Sequence, residues 1–511
     1  MKFPGVPRPE HEHEQPGAQG EEGPPVGVAQ RARGSLRRQF PVTPDLRRAI
    51  DAPTMRDTLL PVVPGPEVAD DSTVLRVLDL ALRIGEVQLA TGAGAAVAHD
   101  TMLAIASTYG LPVCDVDIAF STITMCCHRG NEAGPVTTMR NVRYRTQDYT
   151  RLTEVDEIIT AIVDRKEPLP VEDAFTRLAE AVDGPHPYPR FVAGLARSMF
   201  AGAVAFLIGG SLLVALIATV ATGIVWGTAR WLGRRRVPMF FQQMVGSAIV
   251  TLSATSLAWS GLLEDSPAFV IAAGLVVLLS GLSLVGLVQD AISGFPLTAA
   301  GRAVEVVLAS VGLLVGVVVS IKLVNGVLGT DAMAFAAVVP PSPTPTLHPL
   351  SLIAAAAAGM LFALSAYAPL KSLPLAAVAG ATVWAAYAMF TMIGAGDVVA
   401  AALAAAALGL VAMVLPRALG TPPLVLVIAG ITPLLPGLTM YRGFSQLAYN
   451  SVGQSSVTIL LALAFGLALA AGVSFGEQIG WPLQRLIRRC IPGVTAEDRA
   501  RESNRGRPRV F

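Results

Sequence analysis

Hydrophobic and polar positions divide the chain into three parts. Residues 1–70 keep no sustained period and contain few aromatic residues, which predicts a disordered tail with a short helix near 54–60. Residues 71–190 carry short amphipathic patterns of both helical and strand period, which predict a small α/β domain. Beyond residue 190 the pattern changes to long apolar segments, each long enough to cross a bilayer.

The patterns within 71–190 predict four helices and two strands. Apolar residues at helical spacing indicate helices over 74–84, 95–109, 152–162 and 171–182, with Gly92 and Gly94 separating the first two. The stretch DVDIAFSTITMCC (115–127) alternates polar and apolar residues, and so does VRYRT (142–146). Alternation is the strand period, so both are predicted as strands.

The apolar part contains about ten segments of about 17–24 residues, each a candidate transmembrane helix. Their limits are 193–209, 211–229, 239–262, 267–288, 303–325, 350–367, 373–393, 397–415, 421–441 and 454–477. A Pro-rich connection, 338–349, divides them into a first half (191–337) and a second half (350–480), and a basic tail follows (481–511). Bases concentrate in alternate connections, which predicts that both termini lie in the cytoplasm.

Composition supports this division. The chain has 511 residues, of which 53% are hydrophobic and only 15% charged, so an ordinary soluble protein is excluded. The net charge of +1 argues against a nucleic-acid partner. The spacing of the four cysteines does not indicate a disulfide framework. Cys126 and Cys127 are adjacent in a predicted strand, so they are expected on opposite faces of it.

Two apolar segments share a motif. IAAGLVVLLSGLS (271–283) aligns without gaps with VIAGITPLLPGLT (427–439), which places Gly281 on Gly437 and Ser283 on Thr439. The copies lie in the fourth and ninth segments, so an odd number of crossings separates them and they are expected to run in opposite directions. Close helix packing through small residues is the alternative explanation.

Inverted repeats with Gly- or Pro-interrupted helices are typical of secondary transporters. Each break leaves free amides at one half-helix start and free carbonyls at the other end, which suit a carboxylate and an ammonium group. We therefore predict an amino-acid site between the two breaks. The candidate substrate-binding residues are Gly281, Ser283, Pro433, Pro436, Gly437, Thr439 and Tyr441.

Charged residues near the apolar segments are candidates for coupling or gating. Asp290 and Glu305 flank the predicted loop QDAISGFPLTAAGRAVE (289–305), with Arg302 between them, and Asp397 begins the eighth segment. The loop carboxylates either form a cytoplasmic salt-bridged connection or gate the cavity and carry a proton. The sequence does not decide which carboxylate carries it.

Three stretches at characteristic separations resemble signature sequences of the threonine/serine exporter (ThrE) family. They are GEVQLATGAGAAVAHDTMLAIASTYGLP (85–112), QDAISGFPLTAAGRAVE (289–305) and ITPLLPGLTMYRG (431–443). The resemblance implies export of threonine, serine or a similar small amino acid, driven by the proton motive force, through the bacterial plasma membrane. The residues that match the family's patterns best are Gly85, Glu86, Gly92, Asp290, Gly294, Arg302, Glu305, Pro433, Pro436, Gly437 and Tyr441. The first break departs from the commoner Pro-Gly pattern, because it reads Ser280-Gly281.

Two enzymatic alternatives are open. GAGD (394–397) matches the GxGD motif of intramembrane aspartyl proteases, but the partner aspartate, Asp290, is predicted at the opposite membrane edge, roughly 30 Å away. His99, Asp100, His128 and Glu132 form a candidate hydrolytic or metal cluster whose spacing matches no strong metal motif. The α/β domain is alternatively a regulatory or assembly module.

The prediction from sequence is thus an α-helical transporter, not an enzyme, with no metal or cofactor. Its expected partners are a small amino acid, protons and the lipid bilayer, and a homo-oligomer is compatible with the pattern.

Overall fold

The computed structural model describes residues 71–490, with gaps at 112, 129–133, 144, 164–167, 264–265, 279–280, 329–345, 415–420 and 449–451. The expected tail with its helix near 54–60, most of the Pro-rich connection and the end of the basic tail lie outside the described residues.

Residues 71–183 form an α/β region with its own hydrophobic core. Its elements are α1 (Asp71–Thr91), α2 (Ala95–Thr108), β1 (Cys114–Ala119), β2 (Thr122–Cys127), β3 (Val136–Asn141), α3 (Tyr149–Val163) and α4 (Val171–Asp183). The strands form an antiparallel sheet in the order β1-β2-β3. Helix α1 buries Val74, Leu78 and Ala81 at the predicted helical spacing. Full burial of each such leucine or valine contributes about 1.5–3 kcal/mol.

The strand predictions need two corrections. The stretch 115–127 is a hairpin and not one strand, because Phe120 adopts a positive φ of 55° and turns the chain between β1 and β2. The third strand ends at Asn141, so the described residues of VRYRT (142, 143, 145 and 146) follow a strand and are not part of one. Cys127 is buried while its neighbour Cys126 is half-buried, as the alternation predicts.

The rest of the described chain is helical. Its helices are α5 (Arg190–Leu207), α6 (Leu212–Arg234), α7 (Met239–Trp259), α8 (Pro267–Leu278), α9 (Gly281–Ile292), α10 (Pro296–Leu328), α11 (Pro349–Ser365), α12 (Leu373–Met392), α13 (Asp397–Val414), α14 (Pro423–Ile431), α15 (Gly437–Ala448) and α16 (Val452–Cys490). Several begin with proline, whose fixed φ and missing N–H suit the first helical turn.

Five described helices are long and apolar enough to cross a membrane, and a bent helix pair makes a sixth candidate. The five are α5, α6, α10, the segment Leu370–Met392 and the apolar part of α16. Helices α8, α11 and α13 are apolar but shorter. The structure is therefore that of a mainly helical protein with several candidate membrane helices.

The aligned glycines begin a helix in both repeat segments. In the first, α8 ends at Leu278 and α9 begins at Gly281. In the second, α14 leads into a short 3-10 turn (Thr432–Leu434), and α15 begins at Gly437. The second pair is bent by 48°. The aligned glycines thus open the second half-helix in each copy.

Glycines bring two helix pairs into backbone contact. A Cβ at Gly312 would lie 2.6 Å from the carbonyl oxygen of Phe240, and one at Gly316 would overlap that of Met244, which joins α10 to α7. Gly472 and Gly476 of α16 approach the carbonyl oxygens of Ala402 and Ala406 of α13 equally closely. Both pairs follow the small-xxx-small pattern of close helix packing.

Candidate functional site

A cavity of about 400 Å³ lies between the α/β region and helices α9 and α10. Three predicted site residues line it: Ser283, Arg302 and Glu305. The α/β region supplies its other wall, chiefly through the β1–β2 turn and the segment after β3. The cavity therefore extends from the start of α9 to the charged cluster that the sequence singled out.

Asp290 and Arg302 form a buried ion pair beside this cavity. Only the three-residue turn 293–295 separates α9 from α10, so the predicted long loop 289–305 is mostly helix. Gly294 allows this turn with a φ of 88°. Arg302 Nε lies 3.1 Å from Asp290 Oδ2, and the two side chains are 6% and 1% exposed. These two atoms are within ion-pair distance but are not aligned for a hydrogen bond.

Each member of this pair also holds the α/β region. Asp290 Oδ1 accepts a hydrogen bond from the Ala95 amide (2.8 Å), and Arg302 Nη2 donates one to the Ala93 carbonyl (3.2 Å). Ala95 is the first residue of α2, whose N-cap, Gly94, has no side chain to offer. Asp290 therefore supplies the missing cap, and its charge lies at the positive end of the helix dipole.

Glu305 forms a second ion pair at the cavity, which is more exposed than that of Asp290 and Arg302. Arg145 Nη1 lies 3.0 Å from Glu305 Oε2, and a second Arg145 nitrogen donates to the Phe120 carbonyl. The Arg145 guanidinium lies 4.4 Å from the centre of the Phe120 ring. The cavity thus offers carboxylate and guanidinium groups together, a combination that suits a zwitterion.

Thr298 fixes the β1–β2 turn on α10. Its hydroxyl donates to the Ile118 carbonyl (3.0 Å) and accepts from the Phe120 amide (3.1 Å). Gly301, one turn further on, leaves room for the Phe120 ring, which a Cβ there would overlap. Sequence reasoning missed Phe120, Arg145 and Thr298 because their partners are far away along the chain.

The second break lies in a different place from the cavity. Gly437 packs against α8, where a Cβ would overlap Val276 Cγ2 and lie 2.9 Å from the Ala272 carbonyl oxygen. Among the neighbouring residues in the sequence, Tyr441 and Pro433 are buried, whereas Pro436 and Thr439 are half-buried. The two repeat segments are therefore in contact, yet no described residue of the second break lines the cavity. The surroundings of Gly281 lie outside the described residues.

The enzymatic alternatives find no assembled site among the described residues. His99 contacts Asp100 and His128 contacts Asp115, so the two histidines have different partners, and Glu132 lies outside the described chain. Asp397 is exposed at the start of α13 and does not line the cavity. Burial raises the pKa of the Cys114 thiol and that of Cys127, its partner across the hairpin, so neither is an activated nucleophile.

Comparison with known proteins places the chain in a family. Residues 79–324 match the family model described as "Putative threonine/serine exporter", and residues 349–479 match that described as "Threonine/Serine exporter, ThrE". The chain is similar to the "Probable threonine/serine exporter" of Mycobacterium tuberculosis, with 37% identity over 424 residues, covering 81% of this chain and 78% of that protein.

It is also similar to the "Threonine/serine exporter" of Corynebacterium glutamicum, with 37% identity over 423 residues, covering 82% of this chain and 85% of that protein. No solved structure matches the chain. The family is one of transporters and not of enzymes. On the extent of these matches, the chain belongs to the threonine/serine exporter family.

Proposed function

We propose that this protein exports threonine, serine or a similarly small amino acid from the bacterial cytoplasm, and that inward movement of protons drives the export. The observation that carries the proposal is the placement of Ser283, Arg302 and Glu305 around one cavity beside the start of α9. A small hydroxylated zwitterion needs these three kinds of partner: a guanidinium for the carboxylate, a carboxylate for the ammonium group and a hydroxyl for its own hydroxyl.

The cavity is the proposed entrance from the cytoplasm. The substrate's ammonium group would compete with Arg145 for Glu305, and its carboxylate would approach Arg302 and the amide end of α9. From there the substrate would pass to the crossing of α8 and α15, where Gly437, Thr439 and Tyr441 lie. Pro433 and Pro436 would keep the second helix interrupted, because neither has an N–H to continue it.

Matching contacts in the two halves support an inverted repeat of five spans each. Within each half, α7 packs on α10 as α13 packs on α16, and α5 packs on α6 as α11 packs on α12. The same alignment places Gly274 on Gly430, and these two glycines have equivalent neighbours, since Gly274 packs against Val250 of α7 and Gly430 packs against Leu408 of α13. We propose ten spans with both termini in the cytoplasm, as the distribution of bases indicates.

Asp290 and Glu305 are the proposed coupling carboxylates on the inner side. Protonation of Glu305 would remove the acceptor of both Arg145 and the substrate. Protonation of Asp290 would leave Arg302 buried without a counter-charge and would weaken the α2 cap, so it would loosen the α/β region. Asp397, exposed at the proposed outer end of α13, is the candidate gate where protons enter.

Export from cells that lack their own threonine exporters tests the proposal. The cells are fed a threonine-containing dipeptide, and external threonine is measured with and without the protein and an uncoupler. We expect export that depends on the protein and collapses with the uncoupler. Glu305→Gln should reduce it at least about tenfold, since it removes a charge-assisted contact.

Glu172→Gln is the matched control, because Glu172 forms an ion pair with Arg76 that is exposed on both sides. It should export at the normal rate. The assay is repeated with a serine-containing dipeptide and external serine. Threonine and serine efflux both equal to that of empty cells would refute the substrate assignment, and uncoupler-resistant export would refute proton coupling alone.

A further inference from the structure

A second cavity, of about 520 Å³, lies between the start of α5, the end of α6 and the turn after α11. Its lining includes four arginines and two aromatic residues: Arg190, Arg197, Arg230, Arg234, Trp226 and Tyr367. Nothing in the proposed transport site uses these residues.

The spacing of the arginines directs them into this space. Arg190 and Arg197 are seven residues apart on α5, and Arg230 and Arg234 are four apart on α6, so each pair lies on one helix face. Arg197 and Arg230 are half-buried, whereas Arg190 and Arg234 are exposed at the rim. The cavity therefore has a basic interior as well as a basic edge.

The four charges have no neutralising partner within the described chain. No lining residue is acidic, and no carboxylate among the described residues forms an ion pair with any of the four. The Arg230 guanidinium lies 5.7 Å from the centre of the Trp226 ring, which offers a cation–π contact only. Because arginine keeps its proton in proteins, the four guanidinium groups repel one another, and a bound anion would relieve this repulsion.

Packing fixes the walls of the cavity. Gly194 allows the Trp226 ring to approach α5, where a Cβ would lie 2.6 Å from it. Tyr367 adopts a positive φ of 59° and stacks on His186 with ring centres 4.1 Å apart. Its carbonyl accepts a hydrogen bond from the Thr150 hydroxyl. A site with fixed walls binds more tightly because less ordering is required on binding.

We propose that this cavity binds a phosphate group, carried either by the headgroup of an anionic phospholipid or by a soluble phosphate compound. The planar guanidinium group can donate two parallel hydrogen bonds to two oxygens of one phosphate. Four guanidinium groups are more than a single carboxylate would need as partners. Basic pockets at the cytoplasmic ends of membrane helices are suited to lipid headgroups.

The test measures the Tm of the purified full-length protein in neutral detergent at constant ionic strength. The probes are short-chain phosphatidylglycerol, short-chain phosphatidylcholine and inorganic phosphate. We expect a saturable rise in Tm with phosphatidylglycerol, inorganic phosphate or both, and no rise with phosphatidylcholine. A response to the lipid alone identifies a headgroup, and a response to inorganic phosphate identifies a soluble ligand.

The variant Arg197→Gln/Arg230→Gln should weaken the apparent affinity at least about tenfold, because it removes two charge-assisted contacts. The control Arg235→Gln/Arg236→Gln removes the same charge from the same helix end but outside the cavity lining, and it should retain the affinity. If the first variant does not fold, Arg190→Gln/Arg234→Gln at the rim replaces it. No Tm response to either phosphate probe, or an equal loss in cavity and control variants, would overturn the proposal.

Discussion

At the residue scale, Asp290 and Arg302 connect parts of the chain that are far apart in sequence. Both side chains are buried, and each also forms a hydrogen bond with a backbone group at the start of α2 or in the turn before it. Taking two charges out of water costs several kcal/mol each, and the pair is stable only while every partner is present. This dependence makes the pair a sensitive position for substitution.

Asp290→Asn should destabilise the protein by about 3–5 kcal/mol, because it leaves Arg302 buried without a counter-charge. Adding Arg302→Gln should recover part of the loss, so that the double variant melts above Asp290→Asn alone. Thermal unfolding of the two single variants and the double variant checks this. Strictly additive losses would show that the two charges are not coupled.

Gly301→Ala should loosen the α/β region, because the added Cβ would overlap the Phe120 ring and that turn is already held in a positive φ. We expect a lower Tm, by the equivalent of about 1–3 kcal/mol. Gly326→Ala is the control on the same helix, since nothing lies near a Cβ there. The idea fails if both variants melt like the unchanged protein.

At the scale of elements, the two repeat segments contact each other at Gly437. Each second half-helix begins at the aligned glycine, and the crossing of α15 with α8 leaves no space for a side chain at Gly437. The second break therefore has a packing role in addition to any role in binding. An experiment at Gly437 must therefore separate the effect of a substitution on packing from its effect on transport.

Gly437→Ala should abolish export and lower the Tm, because its Cβ would overlap Val276 and approach the Ala272 carbonyl. Val276→Ala in the same chain removes the overlapping atom, so it should restore stability in part. Threonine efflux and thermal melting of the three variants provide the test. A Val276→Ala change that fails to raise the Tm of Gly437→Ala would contradict the proposed contact.

Elements were more predictable than the contacts between them. All ten predicted apolar segments coincide with helices or helix pairs, because runs of Ala, Leu and Val decide this locally. The hairpin turn at Phe120 was missed, since an apolar residue with positive φ leaves no signal in a polar–apolar alternation. The Pro433–Gly437 break was foreseen from its residue types.

The candidate site was only partly predictable. Asp290, Arg302 and Glu305 were found because charges beside apolar segments are conspicuous. Their partners Ala95, Thr298 and Arg145 belong to segments that touch only in the folded chain. Such long-range partners follow from tertiary packing and not from any local period.

At the scale of the whole molecule, the α/β region is fastened at two separate places. One is the cluster on α9 and α10. The other is the turn after α11, where the Tyr149 amide of α3 donates to the carbonyl of Ala366. Tyr188, in the connection that follows α4, donates to the carbonyls of Leu364 and Ala368 at the same turn. One attachment lies in each half of the helical part, so movement of one half against the other would act on both.

Because the attachments are separate, weakening either one should leave the region docked. Thr298→Val and Tyr188→Phe each remove a hydroxyl that bonds two backbone groups, and each should cost about 1–3 kcal/mol. Only the double variant should expose the connection 184–189 to limited proteolysis. Rapid cleavage in either single variant would show that the two attachments are not redundant.

The separation between Asp290 and the helix that it caps also sets an order of events during synthesis. The Ala95 amide is translated 195 residues before its acceptor. At about 5–20 residues per second, this interval lasts roughly 10–40 s. Throughout it, the α/β region has left the ribosome while its docking residues are still to be made. A newly made chain must therefore keep this surface soluble on its own, and a mutation that harms it would reduce the yield of inserted protein even if the finished transporter were unaffected.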